Sequence, residues 1–150
     1  MKKYVHSVLI FVFIVFISAN CQSQDKGKNE FADKTKTVEE LLKSGDKKIT
    51  ARKYKEALED FNKAIELDPY SADSYNYRGM VKYFLDDYKS ALEDFDKAIA
   101  LQPDYAEAYN LRGVVKGELN DDKGACEDWE KAFELGLKNA FILLKKFCQE

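Results

Sequence analysis

Apolar and polar positions divide this chain into three stretches. The first is an unbroken apolar run from Val8 to Ile17, preceded by Lys2 and Lys3. Residues 22–36 then hold polar and charged side chains with no apolar period. From Val38 onward the apolar positions fall at helical spacing, and the spacing itself recurs. Ala57, Phe61 and Ala64 mark one helical face, three and four residues apart. The same face returns as Ala91, Phe95 and Ala98, and again as Ala125, Trp129 and Ala132, each set 34 residues after the last. The pattern predicts helices near 38–50, 54–67, 72–84, 88–101, 106–118 and 122–135. A seventh is expected over 139–148 through Ala140, Phe141, Leu144 and Phe147. Thr37 with Glu40, and Asp104 with Glu107, have capping-box spacing. Asp87 and Asp121 precede the fourth and sixth helices as expected caps.

Residues 38–71, 72–105 and 106–139 thus form three contiguous units. The second matches the first at 14 of 34 positions and the third at 16 of 34, which makes the repeat firm. Gly45, Gly79 and Gly113 fall at one phase inside the first helix of each unit. A helix-interior glycine costs about 1 kcal/mol against alanine, so three at one phase need a packing reason. Close approach of two helices in a hairpin supplies it, with Gly79 expected opposite Ala91. Phe61, Phe95 and Trp129 then fill the wider space on the second helices.

This frame resembles the tetratricopeptide-repeat (TPR) family over roughly 100 of the 150 residues. Pro69 and Pro103 close the first two units, and Tyr75 and Tyr109 stand where that family carries a large aromatic. The third unit departs from the pattern, with Leu137 in place of the proline and Asp122 in place of Tyr54 and Tyr88, as terminal repeats often do. The resemblance implies an all-α solenoid of three helix-turn-helix repeats, with residues 140–150 as a capping helix. It also implies a concave face, lined by the first helix of each unit, that holds a peptide or a partner's helix. Unit one would present Glu39, Leu42, Asp46 and Ile49 there. Unit two would present Asp73, Asn76, Met80 and Tyr83, and unit three Glu107, Asn110 and Val114, with Gly117 as a gap. Asn76 and Asn110 share one phase, and an amide that donates and accepts suits an extended peptide backbone. Met80 and Tyr83 form either an adaptable apolar spot or internal packing. Chaperone-binding members of the family grip a carboxylate with Lys, Arg and Asn. Glu39, Asp46, Asp73 and Glu107 on this face argue instead for a neutral or basic ligand. Arg78 and Arg112 recur beside the glycines and are expected to pair with carboxylates of neighbouring helices.

The N-terminal stretch changes where the module would sit. Ten apolar residues span only about 15 Å as a helix, short of a bilayer core, so residues 1–20 read as an export signal. Ser18, Ala19, Asn20 and Cys21 resemble a bacterial lipoprotein box, which implies lipidation of Cys21. That family prefers an aliphatic residue at Ser18 and Gly or Ala at Asn20, and a plain secretory signal is the alternative. Residues 22–36 would be a flexible tether. The expected location is the cell envelope, on an outer-membrane or periplasmic face, or otherwise secreted.

Composition narrows the chemistry further. The formal net charge of −3 and the lack of a basic stripe argue against nucleic acid. The one histidine, His6, lies in the export signal, so a processed chain lacks the commonest general base. No phosphate loop, nucleophile elbow or metal-ligand spacing occurs, and the acidic residues are expected on solvated helix faces. Cys126 and Cys148 could form a disulfide or stay as buried thiols, and two cysteines without histidine give no zinc site. The reading is a non-catalytic, cofactor-free protein-binding module, a membrane-anchored scaffold or assembly factor. The alternatives are self-association through the repeat ends or a role as accessory subunit of an enzyme complex.

Overall fold

The computed structural model of the protein describes residues 37–148. Among these are seven helices and no strand: α1 (37–50), α2 (Tyr54–Leu67), α3 (Ala72–Phe84), α4 (Tyr88–Leu101), α5 (Ala106–Glu118), α6 (Asp122–Glu134) and α7 (Ala140–Phe147). The architecture is an all-α solenoid of helix-turn-helix repeats followed by a C-terminal helix. The apolar run Val8–Ile17, Cys21 and residues 22–36 lie outside the described residues. No described helix is long and apolar enough to cross a membrane.

Each hairpin turn is built the same way. Arg52, Asp86 and Asn120, 34 residues apart, adopt left-handed backbone with φ of 57°, 60° and 62°. The following amide then reaches back to a carbonyl of the last helical turn: Lys53 to Lys48, Asp87 to Lys82 and Asp121 to Lys116. Asp87 and Asp121 at once cap the next helix, accepting from the Ser90 and Gly124 amides at 3.3 and 3.0 Å. Ser71 caps α3 through the Ser74 amide. The Asp104–Glu107 capping box does not form. The N-cap of α5 is Tyr105, one residue later than that box requires, and the side chain of Tyr105 bonds elsewhere.

Inside each hairpin the glycine receives a ring, and at Gly113 also the Ala125 backbone carbonyl at 3.1 Å. A Cβ on Gly79 would lie 2.9 Å from the Phe95 ring, and one on Gly113 2.8 Å from the Trp129 indole. Gly79 thus accommodates Phe95, and in the third unit Gly113 meets both Trp129 and Ala125, the counterpart of Ala91. The rings of Phe61 and Phe95 are fully buried and seed two core clusters. Val81 of α3 packs with Phe61, and Val115 of α5 packs with Phe95, so every unit shares its core with the next. This sharing is what fixes one repeat on another.

Three acidic residues do not sit on the solvated faces where the sequence put them. Asp60, Asp94 and Asp128 are buried, at 6%, 3% and 3% exposure. Arg78 grips Asp94 with two parallel bonds of 2.8 and 2.7 Å, and Lys82 adds a third contact at 2.7 Å. Arg112 and Lys116 repeat the arrangement on Asp128 at 2.9, 2.6 and 2.8 Å. A buried carboxylate is tolerated only when charges and hydrogen bonds meet it from several sides, which these do. The remaining Arg78 amine reaches Asn62 of α2, and that of Arg112 reaches Asp96 of α4, so each arginine ties its hairpin to the preceding repeat. The Tyr75 and Tyr109 rings lie under the two guanidinium groups at 5.5 and 5.3 Å. In unit one the clamp is reduced to Lys48 on Asp60 at 2.6 Å, with Ser44 in the arginine position.

The C-terminal helix is held differently. A disulfide joins Cys126 of α6 to Cys148 just beyond α7. Phe147 lies tilted against Trp129 with centroids 5.8 Å apart, and Phe141 meets Phe133 at 5.5 Å. Of α7 itself only Ala140 is buried, while Phe141 and Ile142 stay 51% and 66% exposed. The helix covers Trp129 but presents a new apolar face, so it is an incomplete cap.

Candidate partner-binding face

The first helices of units two and three lie side by side: α3 touches α5 directly. Asp73, Asn76, Met80 and Tyr83 come from α3, and Glu107, Asn110 and Val114 from α5.

Between these helices a short polar chain is assembled. The Tyr105 hydroxyl donates to Asp73 at 2.6 Å and accepts from the Asn76 amide at 3.3 Å. Burial, then Asp73, push the Tyr105 phenol far above its ordinary value, so it is a neutral donor at any physiological pH. Asn76 is 6% exposed, and its Oδ1 is buried with no hydrogen-bond partner. One repeat later the Asn110 Oδ1 is in the same condition. A buried carbonyl left unpaired costs about 1–3 kcal/mol, so two at one repeat phase call for an explanation outside packing. The Asn110 backbone carbonyl, by contrast, is occupied by the Trp129 indole N–H at 3.2 Å.

Electrostatically this face is acidic. After burial, Asp46 and Asp73 raise the Tyr77 phenol, and Glu118 and Asp86 raise that of Tyr83. Glu107 adds to the effect on Tyr105. Asp73 and Glu107 are exposed, and Met80 and Val114 are half-buried. Tyr83 packs with Phe84, Tyr88 and the Phe95 cluster, which leaves it a mainly internal role. Arg78 and Arg112 are engaged by Asp94 and Asp128. Hydrogen bonds to these carboxylates hold both guanidinium groups still further into their charged form. Among the described residues no group of His, Cys, Asp and Glu could hold a metal ion.

Sequence reasoning missed Tyr105 and the buried aspartates. The aspartates carried a signal, because Asp60, Asp94 and Asp128 recur at one phase of the repeat, as do Arg78 with Arg112 and Lys82 with Lys116. Tyr105 carried none, since its counterparts are Ser71 and Asn139.

Comparison with known proteins gives the same frame. Tetratricopeptide-repeat family models match residues 72–105 and 48–71. The first TPR domain of human RPAP3 is 30% identical, with a TM-score of 0.72, over 75% of this chain and 91% of that one. The first TPR domain of Spaghetti (RPAP3), bound to HSP90 peptide SRMEEVD, is 29% identical with a TM-score of 0.72, over 76% and 92%. MamA is 31% identical with a TM-score of 0.62, over 66% and 58%. No curated protein sequence matches. With a solved relative at this identity covered over nearly its whole length, and with family models that meet at the boundary between units one and two, the chain belongs to the tetratricopeptide-repeat family.

Proposed function

We propose that this protein is a non-catalytic adaptor that binds an extended segment of a partner protein across α3 and α5. The observation that carries the reading is the pair of buried, unpartnered carbonyl oxygens on Asn76 and Asn110. Turned toward the groove, the two amides would each accept a peptide N–H, one per repeat, whatever the side chains of the segment. Related domains bind peptides, among them HSP90 peptide SRMEEVD on the first TPR of Spaghetti (RPAP3). That peptide is acidic, whereas Asp46, Asp73, Glu107 and Glu118 give this face a negative field. Charge complementarity therefore favours a neutral or basic segment. The N-terminal signal and Cys21 support anchorage by lipid at a membrane, with residues 22–36 as tether.

The test is affinity capture from native membranes with the wild type and with Asn76→Ala/Asn110→Ala, matched for folding by circular dichroism. A protein held by the first and lost by the second supports the reading, and identical captures overturn it. Cys21→Ala addresses the anchor: the variant should leave the membrane fraction, and retention there would refute lipidation. A second reading, self-association through the array end, is favoured by exposed Phe133, Phe141 and Ile142. Particle size that rises with concentration, and falls with Ile142→Lys, would support it.

A further inference from the structure

At the C-terminal end of the array, α5, α6 and α7 enclose a cavity of about 530 Å³. Val114 and Gly117 of α5, Trp129 of α6, and Leu143 and Phe147 of α7 give it an apolar lining. Its origin lies at position 117. The equivalent residues Ile49 and Tyr83 pack against the cores of units one and two. In unit three that side chain is missing. Packing does not demand the glycine, because a Cβ there would meet Trp129 at 3.8 Å, an ordinary contact. Gly113, by comparison, has the indole at 2.8 Å. Even in the last turn of α5, a glycine that packing does not require weakens the helix, and what it leaves here is open space beside an indole. The rim holds Glu118 and Asp122, continuing the acidic field of Asp73 and Glu107. The rim's one basic residue, Lys146, lies over the Phe147 ring at 4.7 Å.

We propose that this cavity is an anchor pocket for a bulky apolar side chain, Phe or Leu, next to a Lys or Arg of the bound segment. This rests on the groove reading above and adds its side-chain preference. The backbone would be held at Asn76 and Asn110, the apolar side chain would enter beside Gly117, and the basic neighbour would face Glu118 and Asp122. One wall comes from α7, which is held by Ala140, by the Phe147–Trp129 and Phe141–Phe133 ring contacts and by the Cys126–Cys148 bond. The disulfide is the covalent part of that hold and keeps the pocket formed.

Random heptapeptides displayed on phage would be selected on the full chain. The winning sequence and its apolar→Ala form would then be titrated against Trp129 emission, which is unambiguous because the chain has one tryptophan. Expected is enrichment of a bulky apolar residue beside Lys or Arg, with the Ala form about 10- to 100-fold weaker. Gly117→Leu, which suits a helix and fills the cavity, should erase that difference, and so should Cys126→Ser/Cys148→Ser. Enrichment without an apolar residue, or a difference that survives Gly117→Leu, overturns the pocket. Apolar enrichment without a basic neighbour overturns its charge preference. Loss of the Ala form's binding in Asn76→Ala/Asn110→Ala alone would leave the groove standing while the pocket falls. An effect of Gly117→Leu alone would do the reverse, and no enrichment at all would sink both.

Discussion

Where α3 meets α4, a glycine admits a phenylalanine ring and a buried aspartate draws an arginine and a lysine onto itself. Where α6 meets α7, the indole of Trp129 finds only a partly exposed ring, and a disulfide supplies the remaining hold. The interior of the array is secured by neighbours on both sides. The terminal helix has one neighbour, and a covalent link stands in for the second. An array of similar units still needs different physics here, because a single helix, α7, covers the third core where a whole repeat covers the first two.

Removing a buried carboxylate should separate the two regions most. Asp94→Ala strands Arg78 and Lys82 and should destabilise the fold by about 3 kcal/mol, read from urea unfolding. Asp60→Ala should cost clearly less, because one partly exposed lysine and the Ser44 hydroxyl stand where Asp94 has an arginine and a lysine. Equal losses would dissolve the distinction between the full and reduced clamps. Opening the disulfide, which closes a 22-residue separation, should cost about 3 kcal/mol in the chain-entropy picture. Hydrogen exchange in Cys126→Ser/Cys148→Ser should then rise in α7 and leave α3 and α4 protected. Exchange rising throughout would mean that the end and the interior are one cooperative unit.

Smaller effects sharpen the contrast by sign. Gly79→Ala should destabilise by about 1 kcal/mol, since the ring clash outweighs the gain in helix propensity. Gly117→Ala should stabilise by a similar amount, because its Cβ meets open space and an ordinary contact. Thermal melts of the two variants should therefore move in opposite directions.

Acid sensitivity should belong to the interior as well. Burial raises the Asp60 carboxyl, but hydrogen bonds from Lys48 and Ser44 and the charges of Lys48 and Lys63 outweigh it, so its pKa lies below the usual value. Bonds from Ser90 hold Asp87 low as well. A carboxylate with a depressed folded pKa contributes fully above its unfolded value, near 4, and the contribution fades as pH falls through the folded pKa. The urea midpoint should hold from neutrality to about pH 4 and decline below. Tyr105 works at the other extreme. Its raised pKa contributes stability below about pH 10 that is lost as pH rises further, and absorbance at alkaline pH should show its ionisation only after those of exposed tyrosines.

Much of the fold was legible. All seven expected helices match the described residues to within one residue at either end, because apolar spacing and turn chemistry agree in each repeat. Asp87 and Asp121 act as the caps their positions implied. The arginines pair with carboxylates, as surface charges commonly do, but the partners are buried, which spacing alone did not convey. Asp104 misled, because a capping box competes with whatever else the local backbone must serve, and here Tyr105 is drawn to Asp73. The groove residues were placed on α3 and α5 by repeat phase alone, whereas Tyr83 turned inward onto Tyr88.

By itself the sequence determined the period, the helices, the turns between them and the family, since all of these follow from local spacing repeated three times. The tertiary structure decided which polar atoms lack partners, which aspartates leave water and where a missing side chain leaves a cavity. Those properties belong to pairs of residues 16 to 32 positions apart, such as Arg78 with Asp94 and Asp73 with Tyr105. Whether such pairs meet depends on how one repeat is set against the next, which local spacing does not encode.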